Sequence, residues 1–240
     1  RCIGTSSRRQ YFAVNLENAI RALGKFSRHK PRVIFKRPPH YPIQRPRLSV
    51  RDWLAWNSDD DQFREGVTQS IKSLLESNRK TMRAICTFMP GLTAEGKGRE
   101  NSIKALRFVL NLARDLNATC ELSHIDTVVV VGGSILKSIL VYGRELIGSP
   151  EKYPSELVSI AWRLTKEESQ RRMIESLTEV VRGFNDGPRI AIELEPGILS
   201  SVGSLDDMRQ LAIQIDRRPD LNTRVGFNCD VAHWTIAGIQ

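Results

Sequence analysis

"DTVVVVGGS", residues 126–134, is the stretch on which the fold turns. Its four consecutive valines are β-branched, favour extended backbone and leave no polar face, so the strand they form must be covered on both sides. Strands of that kind sit inside parallel sheets, and parallel neighbours need crossover connections, usually helices. The segments on either side supply them.

Upstream, Phe63, Val67, Ile71, Leu74 and Leu75 recur at helical spacing and predict a helix over about 61–77. "MRAICTFM" (82–89) reads as a strand ended by Pro90-Gly91, and "LTAEGKGREN" (92–101) as a polar loop. Ile103, Leu106, Val109, Leu110, Ala113 and Leu116 mark a strong amphipathic helix. Downstream, Thr165 with Glu168 forms the pattern of a capping box, opening a helix with core face Met173, Ile174, Leu177, Val180, Val181 and Phe184. "RIAIELEPG" (189–197) is the next strand, Ser204 with Asp207 caps a further helix, and "RVGFNCD" (224–230) is the last strand. Strands recur about every 35–60 residues with helices between, the βαβ signature. The fold class is α/β, either a (β/α)8 barrel or an open doubly wound sheet. "VVVGGS" lacks the G-x-G-x-x-G of a dinucleotide fold, and its paired glycines read as a tight turn.

Residues 1–60 are different. "AVNLENAIRALGKF" (13–26) predicts an amphipathic helix and "RVIFK" (32–36) a short strand, but "RPPHYPIQRPR" has four prolines in eleven residues and forms an extended connector. The chain's net charge of +9 is concentrated here: residues 1–50 hold 12 Lys/Arg and one acid, whereas the remainder is −2. The charge therefore marks an arm or a solvated extension and not a basic body. The domain reading is a basic, Pro-rich segment over 1–60 and one α/β domain over 61–240. No run approaches the ~18 apolar residues of a membrane span, and the start lacks the apolar core of a secretory signal. Cys2, Cys86, Cys120 and Cys229 are widely spaced with no C-x-x-C pair, which fits a reducing, cytoplasmic setting.

The chemistry is in the acidity of the late strands. Period-two alternation puts Ile190, Ile192 and Leu194 on one face of "RIAIELEP" and Ala191, Glu193 and Glu195 on the other. In "RVGFNCD" it puts Val225, Phe227 and Cys229 against the helices and Gly226, Asn228 and Asp230 on the polar face, with His233 three residues on. Carboxylates gathered out of water lose hydration, and a divalent cation removes that penalty. Glu193, Asp230 and His233 are the candidate metal ligands, and the ends of barrel strands are where such enzymes place them. A lone strand-end Asp is otherwise a helix cap. Glu195 and Asn228 are candidate substrate contacts, and Trp234 either walls the pocket or packs. Cys229 reads as core, His124 as structural, and His29 and His40 as outside any site.

"RIAIELEPG…SLDDMRQL…RVGFNCDVAHWTIAGI" resembles the xylose isomerase-like TIM-barrel superfamily, which holds the sugar phosphate isomerases and epimerases and the endonuclease IV-like proteins. "RAICTFMPG" and "VVVVGGS" look like its second and third units, so the resemblance spans about residues 62–240. It implies that Glu193 is a metal ligand and acid/base, Asp230 a metal ligand, and His233 a metal or substrate ligand. It also implies a partial barrel, since four or five strands are countable before Gln240, with the missing ligands beyond it and exposed sheet edges that favour association, including homo-oligomers. The expected function is a divalent-metal-dependent (Mn, Mg, Co or Zn) isomerase or epimerase of a sugar or sugar-like polyol, with Glu193 as base. The alternatives are an endonuclease IV-like phosphodiesterase holding DNA through the basic arm, or a non-catalytic barrel. The endonuclease branch carries histidines on its early strands, and "MRAICTFM" and "DTVVVVGGS" have none.

Overall fold

The valine run lies at the centre of a five-stranded, all-parallel sheet. The computed structural model describes residues 12–15, 58–133, 155–184, 186–196 and 200–236. In chain order these form β1 (Phe12–Asn15), α1 (Asp61–Asn78), β2 (Met82–Phe88), a 3-10 turn (Pro90–Thr93), α2 (Gly96–Thr119), β3 (Ser123–Val131) and α3 (Ser155–Val181). There follow β4 (Arg189–Glu193), α4 (Leu205–Asp216), a single turn α5 (Pro219–Asn222), β5 (Val225–Asn228) and α6 (Val231–Ile236). Among the described residues, strands stand side by side in sequence order, β1-β2-β3-β4-β5, with no reversal.

The register makes the two faces explicit. Ile85, Val128, Ile190 and Val225 form one row across the sheet, and Thr87, Val130, Ile192 and Phe227 the next. Except for Thr87 these residues are buried, in one cluster with the apolar stripes of the helices. Helix α2 contributes most: Leu106, Phe108, Val109, Leu112, Ala113 and Leu116 are all fully buried, each large side chain adding about 1.5–3 kcal/mol. The opposite face carries the rows Cys86, Val129, Ala191, Gly226 and Phe88, Val131, Glu193, Asn228. That face is less covered, and Phe88 is 61% exposed.

Local chemistry explains the element ends. Asp60 caps α1, its Oδ1 accepting from Phe63 N at 2.9 Å. Ser204 caps α4 as expected: Ser204 Oγ accepts from Asp207 N at 3.2 Å and donates to Asp207 Oδ2 at 2.8 Å. Asn117 ties the end of α2 to the start of β3, its Oδ1 accepting from Ile125 N at 2.8 Å and Ser123 Oγ at 2.9 Å. That clamp starts β3 at Ser123, three residues before the apolar run.

Several expectations are corrected. Thr165 does not open a helix: α3 is already helical from Ser155, because the intervening "ELVSIAWRL" has no breaker, and Glu168 pairs with Arg171 and Arg172 instead. "GKGREN" is not loop but the first turns of α2. The glycine with a packing reason is Gly91 of the 3-10 turn: a Cβ there would lie 2.4 Å from Gly98 O and 2.3 Å from Ser102 Oγ, so the turn and the helix approach at backbone distance. Leu74 is 39% exposed, as adjacent Leu75 takes the core-facing position. Ala13, Val14 and Asn15 belong to strand β1, paired parallel with Ile85 and Cys86, and not to a helix. Part of the first sixty residues thus joins the sheet; "RVIFK", the proline connector, His29, His40 and Cys2 lie outside the described residues. No helix among the described residues is long and apolar enough to cross a membrane.

Candidate carboxylate and histidine site

Glu193 is the last residue of β4, level with Asn228, the last of β5. Beyond Asn228 the chain leaves the strand, and Asp230 begins α6. Its Oδ1 accepts from Ala232 N at 2.8 Å and His233 N at 3.2 Å, while its carbonyl accepts from Trp234 N at 3.0 Å. The carboxylate is therefore an N-cap, and the cap sets the position of His233 one turn on. Glu193, Asp230 and His233 each bring a donor atom within 4.8 Å of the others. The three residues expected to share a cation converge, though Asp230 and His233 do so from a helical turn past the strand.

His233 Nδ1 lies 3.0 Å from Leu194 O and 3.2 Å from Glu193 Oε1. A backbone carbonyl only accepts, so in the contact with Leu194 O it is Nδ1 that donates. Glu195 lies past the end of β4, half-exposed, with Oε2 4.0 Å from the same Nδ1. Glu193 is 8% exposed. Burial pushes its carboxyl above the ordinary glutamate range; the charge of His233 opposes this, those of Asp230 and Glu195 add to it, and a hydrogen bond from Asn228 lowers it. The group is thus poised to exchange a proton nearer neutrality than an exposed glutamate.

Two residues on this face were not singled out in the sequence. Cys86, two rows from the strand ends, is half-buried, and its thiol is pushed up by burial and then by the Glu193 charge. Phe88 lies in the Glu193 row and offers an exposed aromatic wall. Alternation along β2 contained both, but only the register against β3 and β4 aligns them with Glu193. Trp234 packs on the core, with Nε1 buried and without a hydrogen-bond partner among the described residues, in keeping with the packing reading. Cys229 is half-exposed, not core: it follows the last strand residue, where period-two alternation no longer applies.

Chemically, two carboxylates and an imidazole suit a hard or borderline divalent cation, or proton transfer between a buried acid and a histidine. No protein-family model matches the chain, and no curated protein matches it at a significant level.

Proposed function

We propose that this chain is a divalent-metal-dependent isomerase or epimerase of a sugar or sugar-like polyol, built on a (β/α)8-type barrel. The observation that carries the proposal is the convergence of Glu193, Asp230 and His233 within 4.8 Å at the C-terminal end of adjacent parallel strands. Sequential strand order supports the barrel reading, since open doubly wound sheets reverse their order at a switch point. The donor set fits the cation: two oxygen ligands and one nitrogen suit Mn, Mg, Co or Zn. Bound there, such an ion supplies Lewis acidity that polarises a carbonyl oxygen.

The chain's own groups do the rest. The Glu193 carboxylate takes the proton from the carbon next to the substrate carbonyl and, in an isomerisation, returns it to the neighbouring carbon on the same face; inversion at one carbon takes a second acid/base group on the opposite face, with Glu193 one of the pair. Without a cation, burial raises its proton affinity, and a bound cation favours the ionised carboxylate that acts as base. Asn228 and Leu194 O hold Glu193 and His233 in place, and Glu195, half-exposed beside them, meets substrate hydroxyls. His124, the histidine on β3, lies at that strand's N-terminal end, on the far edge from Glu193. The early-strand histidines of a phosphodiesterase are thus missing from the C-terminal ends of β2 and β3.

Incubating the full chain with Mn²⁺ and a panel of aldoses and ketoses in D₂O tests the proposal, with mass spectrometry reading deuterium at the carbon next to the carbonyl. Exchange is expected with at least one sugar, falling ~10²–10⁴-fold in Glu193→Gln. Exchange undiminished in that variant overturns the assignment.

A further inference from the structure

The sheet-end site does not use the arginines of the helical layer, five of which line one cavity. It has a volume of about 510 Å³ and lies between the start of α2, the second half of α3 and the α4–α5 junction. Arg99, Arg171, Arg172, Arg182 and Arg218 border it, against three glutamates. Those glutamates are each engaged: Glu179 with Arg99 at 2.9 Å, Glu95 with Arg172, and Glu175 with Arg171. Two guanidinium groups remain. Among the described residues neither Arg182 nor Arg218 has a carboxylate partner.

The fold brings these two together. Arg182 follows Thr178 by four residues and donates its backbone N–H to Thr178 O at 3.2 Å, so both lie on one side of the last turn of α3. Arg218, from the far side of α4, donates from Nη1 to Thr178 Oγ1 at 3.0 Å. The hydroxyl thus anchors Arg218 one turn from Arg182. Arg182 also borders the adjoining cavity of about 410 Å³, which Thr178 and Arg224 share.

We propose that this cavity binds a small phosphorylated anion, held by Arg182 and Arg218 with the Thr178 hydroxyl between them. Guanidinium groups match phosphate oxygens in fork geometry. The charge balance favours a small ligand over a nucleic-acid strand: two unpaired cations neutralise one dianion, while the three glutamates on the rim repel a longer polyanion. The inference is independent of the Glu193 site.

Equilibrium dialysis of the full chain tests it in EDTA, which keeps metal-held phosphate out of the readout. The probes are inorganic pyrophosphate and phenyl phosphate, separating an inorganic ligand from a monoester. One saturable site per chain is expected for at least one probe. Its Kd should rise at least about tenfold in Arg218→Ala, the loss of one charged hydrogen bond, and stay unchanged in Lys104→Ala, an exposed lysine of α2 away from the cavity. Arg182→Glu, at an exposed position, should abolish binding with circular dichroism and melting midpoint unchanged, which keeps the test clear of misfolding. No saturation by ~10 mM probe, or saturation undiminished in both arginine variants, overturns the proposal. So does a ~12-nucleotide single strand that binds more tightly than either probe and loses binding in the same variants.

Discussion

Asp230 holds two roles that one pair of substitutions separates. Its Oδ1 accepts from Ala232 N and His233 N, so it caps the first turn of α6, and it is one of three donors within 4.8 Å. Asn caps helices as well as Asp does but carries no charge, whereas Ala does neither. Asp230→Ala therefore costs about 1 kcal/mol, within a range of about 0.5–2, for the lost cap. In a domain of this size that lowers the melting midpoint by about 2–4 °C. Asp230→Asn should unfold within about 0.5 kcal/mol of wild type in EDTA, because both backbone N–H groups keep an oxygen acceptor. Yet it should weaken Mn²⁺ binding at least tenfold, since an amide replaces a charged ligand. Urea unfolding reads the first quantity and a Mn²⁺ titration of the same samples the second. If Asn destabilises as much as Ala, the cap is not what holds this turn; if Asn binds Mn²⁺ like wild type, Asp230 is no ligand.

Three further outcomes follow from the packing and the charges. Burial raises the Glu193 pKa, so its folded-state stability is fully present below the ordinary glutamate value and is lost as pH rises through the raised one. Metal-free wild type should therefore lose stability relative to Glu193→Gln as pH rises through and above the ordinary glutamate range, read by urea unfolding; a gap that moves the other way refutes the burial account. Leu106→Ala, at a fully buried position of α2, should cost about 2–5 kcal/mol in the same assay, and a cost below about 1 kcal/mol would mean that α2 is not packed as described. Gly133 has φ +95, and a Cβ there would meet Met173 Cε at 2.4 Å and Ser201 Oγ at 2.8 Å. Gly133→Ala should thus cost about 1–3 kcal/mol, and an unchanged melting midpoint would show that this junction can give way.

The parallel sheet was legible because its strands are apolar runs and its helices have long stripes, signals set by burial itself. The valine run, the α2 stripe and the Ser204 cap all stand where their chemistry predicts. The grouping of Glu193 with Asp230 and His233 was legible for a related reason: Glu193 interrupts an otherwise apolar strand and stands on its polar face. What was not legible depended on tertiary context. Thr165 and Glu168 have cap spacing, but nothing breaks the helix before them, and their pattern is indifferent to that. Ala13–Asn15 look helical alone and become β1 only by pairing with β2. Likewise, Asp230 reads as a strand residue until Ala232 and His233 donate to it and turn the chain into α6.

The most direct test of the central claim is a Mn²⁺ titration of the full chain followed by electron paramagnetic resonance, with wild type beside Glu193→Gln and His233→Ala. The proposed site predicts one saturable ion per wild-type chain, with affinity at least about tenfold weaker in either variant. No saturable ion in wild type, or one that both variants bind equally well, would contradict it.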